Sequence, residues 1–278
     1  MGVGSMGHWL LATCAWQPRR IALLGLLSLA MAIVGGHRAG AQSGVDLQLV
    51  LALDVSGSVS EARFELQKRG YVAAFRNPRL LQAIQSGSQQ RIAVTMLQWT
   101  GPVLQVHVVP WRLISTEASM HALADAIEAV PRQLFGGGTS ISGAIDYAMS
   151  LFAATEAKGA RRVIDISGDG SNNRGRPVTE ARDDAVKAGV SINGLPILAL
   201  DPELDQYYLH NVIGGPGALV VAAASYETFA DAILKKLVTE IAGMTPRPLK
   251  RLAKLMSRRH RTQAAPVRRG GARPRRPI

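Results

Sequence analysis

Residues 49–59 read LVLALDVSGSV, and the order of residue types in this stretch decides the fold. An unbroken apolar run from Leu49 to Leu53 ends on Asp54. Two serines follow at a spacing of two, giving D-x-S-x-S at Asp54, Ser56 and Ser58. A continuous apolar run closed by turn residues is the pattern of a strand covered on both faces, as in a parallel sheet flanked by helices. Open α/β sheets hold their ligands at the carboxyl ends of such strands, and this run delivers a carboxylate and two hydroxyls there. All three are hard oxygen donors, suited to Mg²⁺, Mn²⁺ or Ca²⁺ rather than to zinc or copper.

Two later stretches enlarge the motif. Residues 135–142 read FGGGTSIS, a glycine turn that brings Thr139 to the start of a helix. Residues 161–170 read RRVIDISGDG, a second buried strand followed by Asp169 in a glycine-flanked turn. One carboxylate, two serines, a threonine and a second carboxylate, on three turns of a βα-repeating chain, resemble the metal-ion-dependent adhesion site of von Willebrand factor A domains. The resemblance extends over roughly residues 45–243. In that family the two serines and the threonine touch the metal, while one or both aspartates act directly or through water. The resemblance therefore implies Ser56, Ser58 and Thr139 as direct ligands and Asp54 and Asp169 as the charged members. It also implies a divalent cation, with Mg²⁺ first and Mn²⁺ or Ca²⁺ as alternatives, and a protein partner that presents Asp or Glu to that ion.

Outward from the first strand, Ser58-x-x-Glu61 fits a capping box, and Phe64, Tyr71, Val72 and Phe75 recur at helical spacing. A helix over 59–75 is expected, ended by Asn77-Pro78, with its amino terminus facing the site. Residues 91–99 and 103–109 flank Thr100-Gly101-Pro102, a turn so short that the two strands must be antiparallel and the second must lie at the sheet edge. His107 is read as a residue of that strand. Helices are expected over 115–130 and from Ile141 to Phe152. A fourth strand (163–167), a helix (179–188), a fifth strand (190–198), a helical stretch (203–212) and a sixth strand (219–223) follow. A final amphipathic helix, capped by Ser225, turns Phe229, Ile233, Leu237 and Ile241 inward. Asp165 is read as structural, and Asn172 and Asn173 as turn formers. The fold class is α/β: a doubly wound, mostly parallel six-stranded sheet with one antiparallel edge strand, Rossmann-like and of the von Willebrand factor A type.

The chain has 278 residues, of which 47% are hydrophobic but only 5% aromatic, so the core is expected to be aliphatic. Residues 1–41 read as a signal peptide: Arg19 and Arg20, an apolar run over 21–34, then Ala39-Gly40-Ala41 as the cleavage pattern. An uncleaved membrane anchor is the alternative. The single cysteine, Cys14, falls inside this segment, so a mature domain over 42–244 needs no disulfide. The net charge of +12 is concentrated at the ends. Residues 1–41 carry three arginines and no acid, and residues 245–278 carry twelve Lys/Arg and no acid, leaving 17 basic against 20 acidic residues between them. The basicity belongs to a disordered Arg/Pro-rich tail, expected to adsorb to anionic membrane or polysaccharide; a specific nucleic-acid surface is not supported.

The function expected is that of an exported, periplasmic or secreted module that binds a divalent cation and captures an acidic group of a protein partner. Three other readings are weaker. Gly136–138 lack the lysine of a phosphate-binding loop. A Mg²⁺-dependent hydrolase or phosphoryl-transfer enzyme using Asp54 would place a second aspartate where Ser56 stands, and no G-x-S-x-G elbow occurs. A structural domain with an empty site would not need all five positions filled by the required residue types.

Overall fold

The computed structural model describes residues 44–243. Residues 1–41, read as a signal peptide, and the tail over 245–278 lie outside the described residues, as do residues 42, 43 and 244. Five strands run in chain order: β1 (Gly44–Asp54), β2 (Ile92–Trp99), β3 (Gln105–Ile114), β4 (Lys158–Gly168) and β5 (Ser191–Pro196). Seven α-helices accompany them: α1 (Glu61–Phe75), α2 (Pro78–Gln85), α3 (Glu117–Glu128), α4 (Ile141–Leu151), α5 (Val178–Lys187), α6 (Leu204–Tyr207) and α7 (Phe229–Ile241). The sheet order is β3-β2-β1-β4-β5, parallel throughout except for β3, which pairs antiparallel with β2 at the edge. None of the described helices is long and apolar enough to cross a membrane.

The apolar run that opened the reading forms the centre of this sheet. Side chains alternate across a strand, so Leu47, Leu49, Leu51 and Leu53 enter one core with Phe64 and Tyr71 of α1, Leu80 of α2, Leu123 of α3 and Ile233 of α7. Val50 and Ala52 enter the other core with Ile141 and Ile145 of α4 and Ala181 of α5. Each leucine so enclosed contributes roughly 1.5–3 kcal/mol relative to exposure. The end of β1 is thereby fixed between β2 and β4, where Asp54 pairs with Trp99 and Leu53 with Ser167.

Four expectations need correction. The sixth strand does not form: residues 219–223 run parallel to β5 but meet it only in the isolated bridges Gly194↔Val220 and Ile197↔Ala223. Gly194 N donates to the Leu219 carbonyl and Val221 N to the Gly194 carbonyl, and pairing resumes with Ala223 N to the Pro196 carbonyl. The missing rung is the one that the amide of residue 196 would supply, and proline has no N–H. The sheet therefore has five strands rather than six. Second, α1 is capped by Ser60, whose hydroxyl accepts the Arg63 amide at 3.3 Å; the Ser58 hydroxyl points into the site instead. Third, Asn77-Pro78 ends α1 but also starts α2, with the Asn77 side chain accepting the Arg79 amide at 3.0 Å and Pro78 in the first turn, where its missing N–H costs nothing. The last helix begins at Phe229 after Thr228 rather than at a cap on Ser225.

Asp165 is structural, as read. It lies inside β4, fully buried, and is paired with Lys236 of α7, which also reaches Glu240 at 3.1 Å. Burial raises the Asp165 pKa even with the ammonium beside it. This three-charge cluster ties the last helix to the strand that carries Asp169. Removing one member of a buried ion pair leaves an uncompensated charge, so Lys236→Met is expected to lower unfolding stability by about 3–5 kcal/mol. Replacing Asp165 and Glu240 as well, by leucine, should restore most of the loss. Urea unfolding followed by circular dichroism checks both.

Candidate metal centre

Asp54 is the last residue of β1 and is fully buried. The chain turns sharply after it, and the Ser56 amide donates to Asp54 Oδ1 at 2.7 Å. Gln67, on the inner face of α1, donates from Nε2 to the Asp54 carbonyl at 3.3 Å, and Arg132 Nη2 donates to the carbonyls of Val55 (3.0 Å) and Ser56 (3.2 Å). The turn is thus held from three sides. The other carboxylate oxygen, Asp54 Oδ2, is buried without a hydrogen-bond partner. Burial and, secondarily, the negative charge of Asp169 push the Asp54 pKa up to about 7.

Asp169 follows β4 and is 2% exposed. Both its oxygens are met: Ser58 Oγ donates to Oδ1 at 2.6 Å, and Tyr226 Oη donates to Oδ2 at 2.8 Å. The Ser56 and Ser58 hydroxyls stand 3.2 Å apart. Asp54, Ser56, Ser58 and Asp169 therefore form one continuous polar cluster bridging the ends of β1 and β4. Gly168 is required between them: a β-carbon there would lie 2.7 Å from Asp54 Oδ2 and 3.0 Å from the buried Tyr208 hydroxyl.

Thr139 lies on the third turn, beside Gly170. Gly136, Gly137 and Gly138 all have positive φ (74°, 89° and 79°), and side chains on the last two would strike Leu104 and Arg174. The turn brings Gly136 beside Gly57 and Thr139 beside Gly170, where a β-carbon would sit 3.6 Å from Thr139 Oγ1. The backbone is fixed from the Asp169 side. Asn173 Oδ1 accepts the Thr139 amide at 2.9 Å, the Thr139 carbonyl accepts the Asn173 amide at 2.9 Å, and Asn172 Oδ1 accepts the Ser142 amide at 3.0 Å. The two asparagines, read as turn formers, bind the second and third turns to each other.

All five residues singled out in the sequence lie at this end of the sheet. Four further residues that shape the centre were not singled out for it. Gln67 had a signal, as a polar residue three after Phe64 and four before Tyr71 on the apolar face of α1. Arg63, Arg132 and Tyr226 had none, because they reach the cluster only through tertiary packing. Among the described residues no three His, Cys, Asp or Glu side chains converge in the manner of a zinc or iron site. With two carboxylates and three hydroxyls, this centre offers oxygen alone. An orphaned carboxylate oxygen beside neutral hydroxyls is a donor set that fits a hard divalent cation.

Solved structures share the architecture. A proximal thread matrix protein from the mussel byssus aligns at 17% identity with a TM-score of 0.51, covering 72% of this chain and 49% of that chain. A second structure of it, described as having a zinc-occupied MIDAS motif, aligns at 16% identity and TM-score 0.51, covering 72% and 46%. A von Willebrand factor type A structure from Catenulispora acidiphila aligns at 16% identity and TM-score 0.50, covering 71% and 43%. The chain spans about half the length of these proteins or less, and at such identities the likeness is one of fold: the von Willebrand factor A type. A comparison with curated proteins returns no match. A family profile described as a protein of unknown function, DUF1194, matches residues 44–245, and by that match, over most of its length, the chain belongs to the DUF1194 family.

Proposed function

We propose that this domain is an exported adhesion module that holds a divalent cation and through it captures an acidic side chain of a protein partner. The observation that carries the reading is Asp54 Oδ2, buried and unpartnered at the end of the central strand. Leaving such an atom unmet costs free energy; a proton meets that cost below about pH 7, and above it a divalent cation would. Ser56, Ser58 and Thr139 would hold the ion as neutral oxygen ligands, with Asp54 and Asp169 supplying the charge. Bound there, the ion would supply an electrophilic position for a carboxylate oxygen of the partner. The oxygen-only donor set favours Mg²⁺, with Mn²⁺ and Ca²⁺ next; the zinc-occupied motif of the mussel protein supports a divalent ion at such a site. Export rests on the Ala39-Gly40-Ala41 pattern, and the basic tail would add a salt-sensitive hold on anionic surfaces.

Among the described residues no histidine joins the centre. His107 is engaged with Thr95 Oγ1 at 2.6 Å and His210 with the Gln206 carbonyl at 2.8 Å, and His121 sits on α3 beside Glu117. None of the three hydrogen-bonds to a residue of the centre.

Calorimetric titration of the full chain with Mg²⁺, Mn²⁺ and Ca²⁺ tests the proposal. Binding in the micromolar to millimolar range is expected for wild type, and none for Asp54→Ala. Thr139→Ala is expected to retain most of the ion affinity while losing partner capture, measured as chelator-sensitive retention of envelope proteins. Absence of ion binding in wild type, or undiminished binding in Asp54→Ala, would sink the reading.

The Asp54 pKa sets the pH dependence. Its carboxyl titrates at about 7 in the fold and near 3.9 in an unfolded chain. Between those values the folded state keeps a proton that the unfolded state has released. Ion-free stability from this group is therefore complete below about pH 4 and declines as pH rises toward 7, by about 1.4 kcal/mol per unit at most. Asp54→Asn should remove that slope in urea melts collected from pH 4 to 8. Ion binding must displace the same proton, so apparent affinity should fall up to about tenfold per unit below pH 7.

A further inference from the structure

Arg63 stands at this centre with no role in the five-residue motif. It lies in the first turn of α1. Its Nη1 donates to the Ser58 carbonyl at 2.7 Å and lies 3.8 Å from Asp169 Oδ2, and its guanidinium covers the Tyr226 ring at 5.2 Å. The side chain is 32% exposed, whereas that of Asp169 is buried. Three contacts thus fix a permanent cation at the mouth of a candidate cation site. A guanidinium is planar and carries five N–H donors in a rigid fork matched to carboxylates. Among the described residues only Nη1 is hydrogen-bonded, and the side chain is partly exposed, with Glu227 within electrostatic reach.

This placement runs against simple cation binding. Asp169 already accepts from Ser58 and Tyr226 and lies beside a full positive charge, so part of its charge is spent inside the protein. An ion at the centre would feel Asp54 fully and Asp169 only in part. With two positive charges on the ion, one on Arg63 and two negative charges on the aspartates, these groups alone would sum to about +1 by formal count, while Glu227 lies within electrostatic reach of Arg63. We propose that Arg63 is the second cationic arm of the site. It weakens retention of the ion and strengthens capture of the anion, so that the partner's carboxylate lies between the metal and the guanidinium. Tyr226 is the positioning residue, holding Asp169 through its hydroxyl and Arg63 through its ring. The inference rests on the metal-binding reading and adds a specificity for ligands that present both oxygens of a carboxylate.

The decisive variant has an effect opposite in sign to that of a structural role. Calorimetry with Mn²⁺ and Mg²⁺ on full-length wild type, Arg63→Met and Arg63→Lys, with thermal unfolding recorded alongside, supplies the ion arm. Acetate titrated into the Mn²⁺-saturated proteins, read by water-proton relaxation, supplies the anion arm. Arg63→Met is expected to bind the ion about three- to tenfold tighter, since a nearby like charge is removed, and to lose acetate uptake by a similar factor. Arg63→Lys keeps the charge and should bind the ion as wild type does, with weaker acetate uptake because the fork is gone. If Arg63 only braces the turn, Arg63→Met will melt earlier and hold the ion no better, which overturns the proposal while leaving the metal site standing. Unchanged acetate uptake in Arg63→Met overturns it equally. If wild type binds neither ion, both readings fall together. Should Arg63→Met not fold, Arg63→Gln removes the same charge with a polar side chain and is judged by the same two measurements.

Discussion

A carboxylate at the end of a strand buried on both faces has to be compensated, and the arrangement of this centre follows from how Asp54 is left half compensated. One oxygen is met by the next turn's amide, the other by nothing among the described residues. The remaining groups are placed so that this deficit persists. Gly168 keeps space open over the free oxygen, Gln67 and Arg132 spend their donors on backbone carbonyls of the turn, and Tyr226 donates to the other aspartate.

The two aspartates therefore differ in kind, although the motif treats them as a pair. Asp169 is satisfied by Ser58, Tyr226 and the nearby Arg63, and belongs to the framework that links β4 to the first turn. Asp54 is held in place through its backbone and one oxygen, and is the member with chemistry left over. A shared cation would join a rigid residue to a reactive one. Such a division lets affinity be tuned at one carboxylate without disturbing the other.

Much of this was legible in the sequence because it depended on strand ends. Leu49–Leu53 has the pattern of a doubly covered strand, which puts Asp54 at a sheet end, and the same reasoning puts Asp169 after β4. Thr139 was legible through its glycines, since three in a row before a helix imply a turn that side chains would forbid. What escaped reading depended on packing between distant segments. Nothing in the local pattern tells that Arg63 covers Tyr226, 163 positions later, or that Arg132 reaches back to Val55. The strand count failed for a subtler reason: residues 219–223 have strand composition, but whether they form a ladder was decided by Pro196 in the neighbouring strand.

That proline bears on how the domain behaves among copies of itself. A sheet that ends in a long regular strand offers an open template to any other extended chain. Here the outer side of β5 is covered only by short interrupted pairings at Gly214, Val220 and Ala223. The opposite border, β3, carries Pro110 and sits against a register irregularity in β2. Each border of the sheet is thus broken by an imino acid that cannot donate. Backbone pairing with another copy is thereby disfavoured on both flanks, so that contact between copies falls to side-chain chemistry.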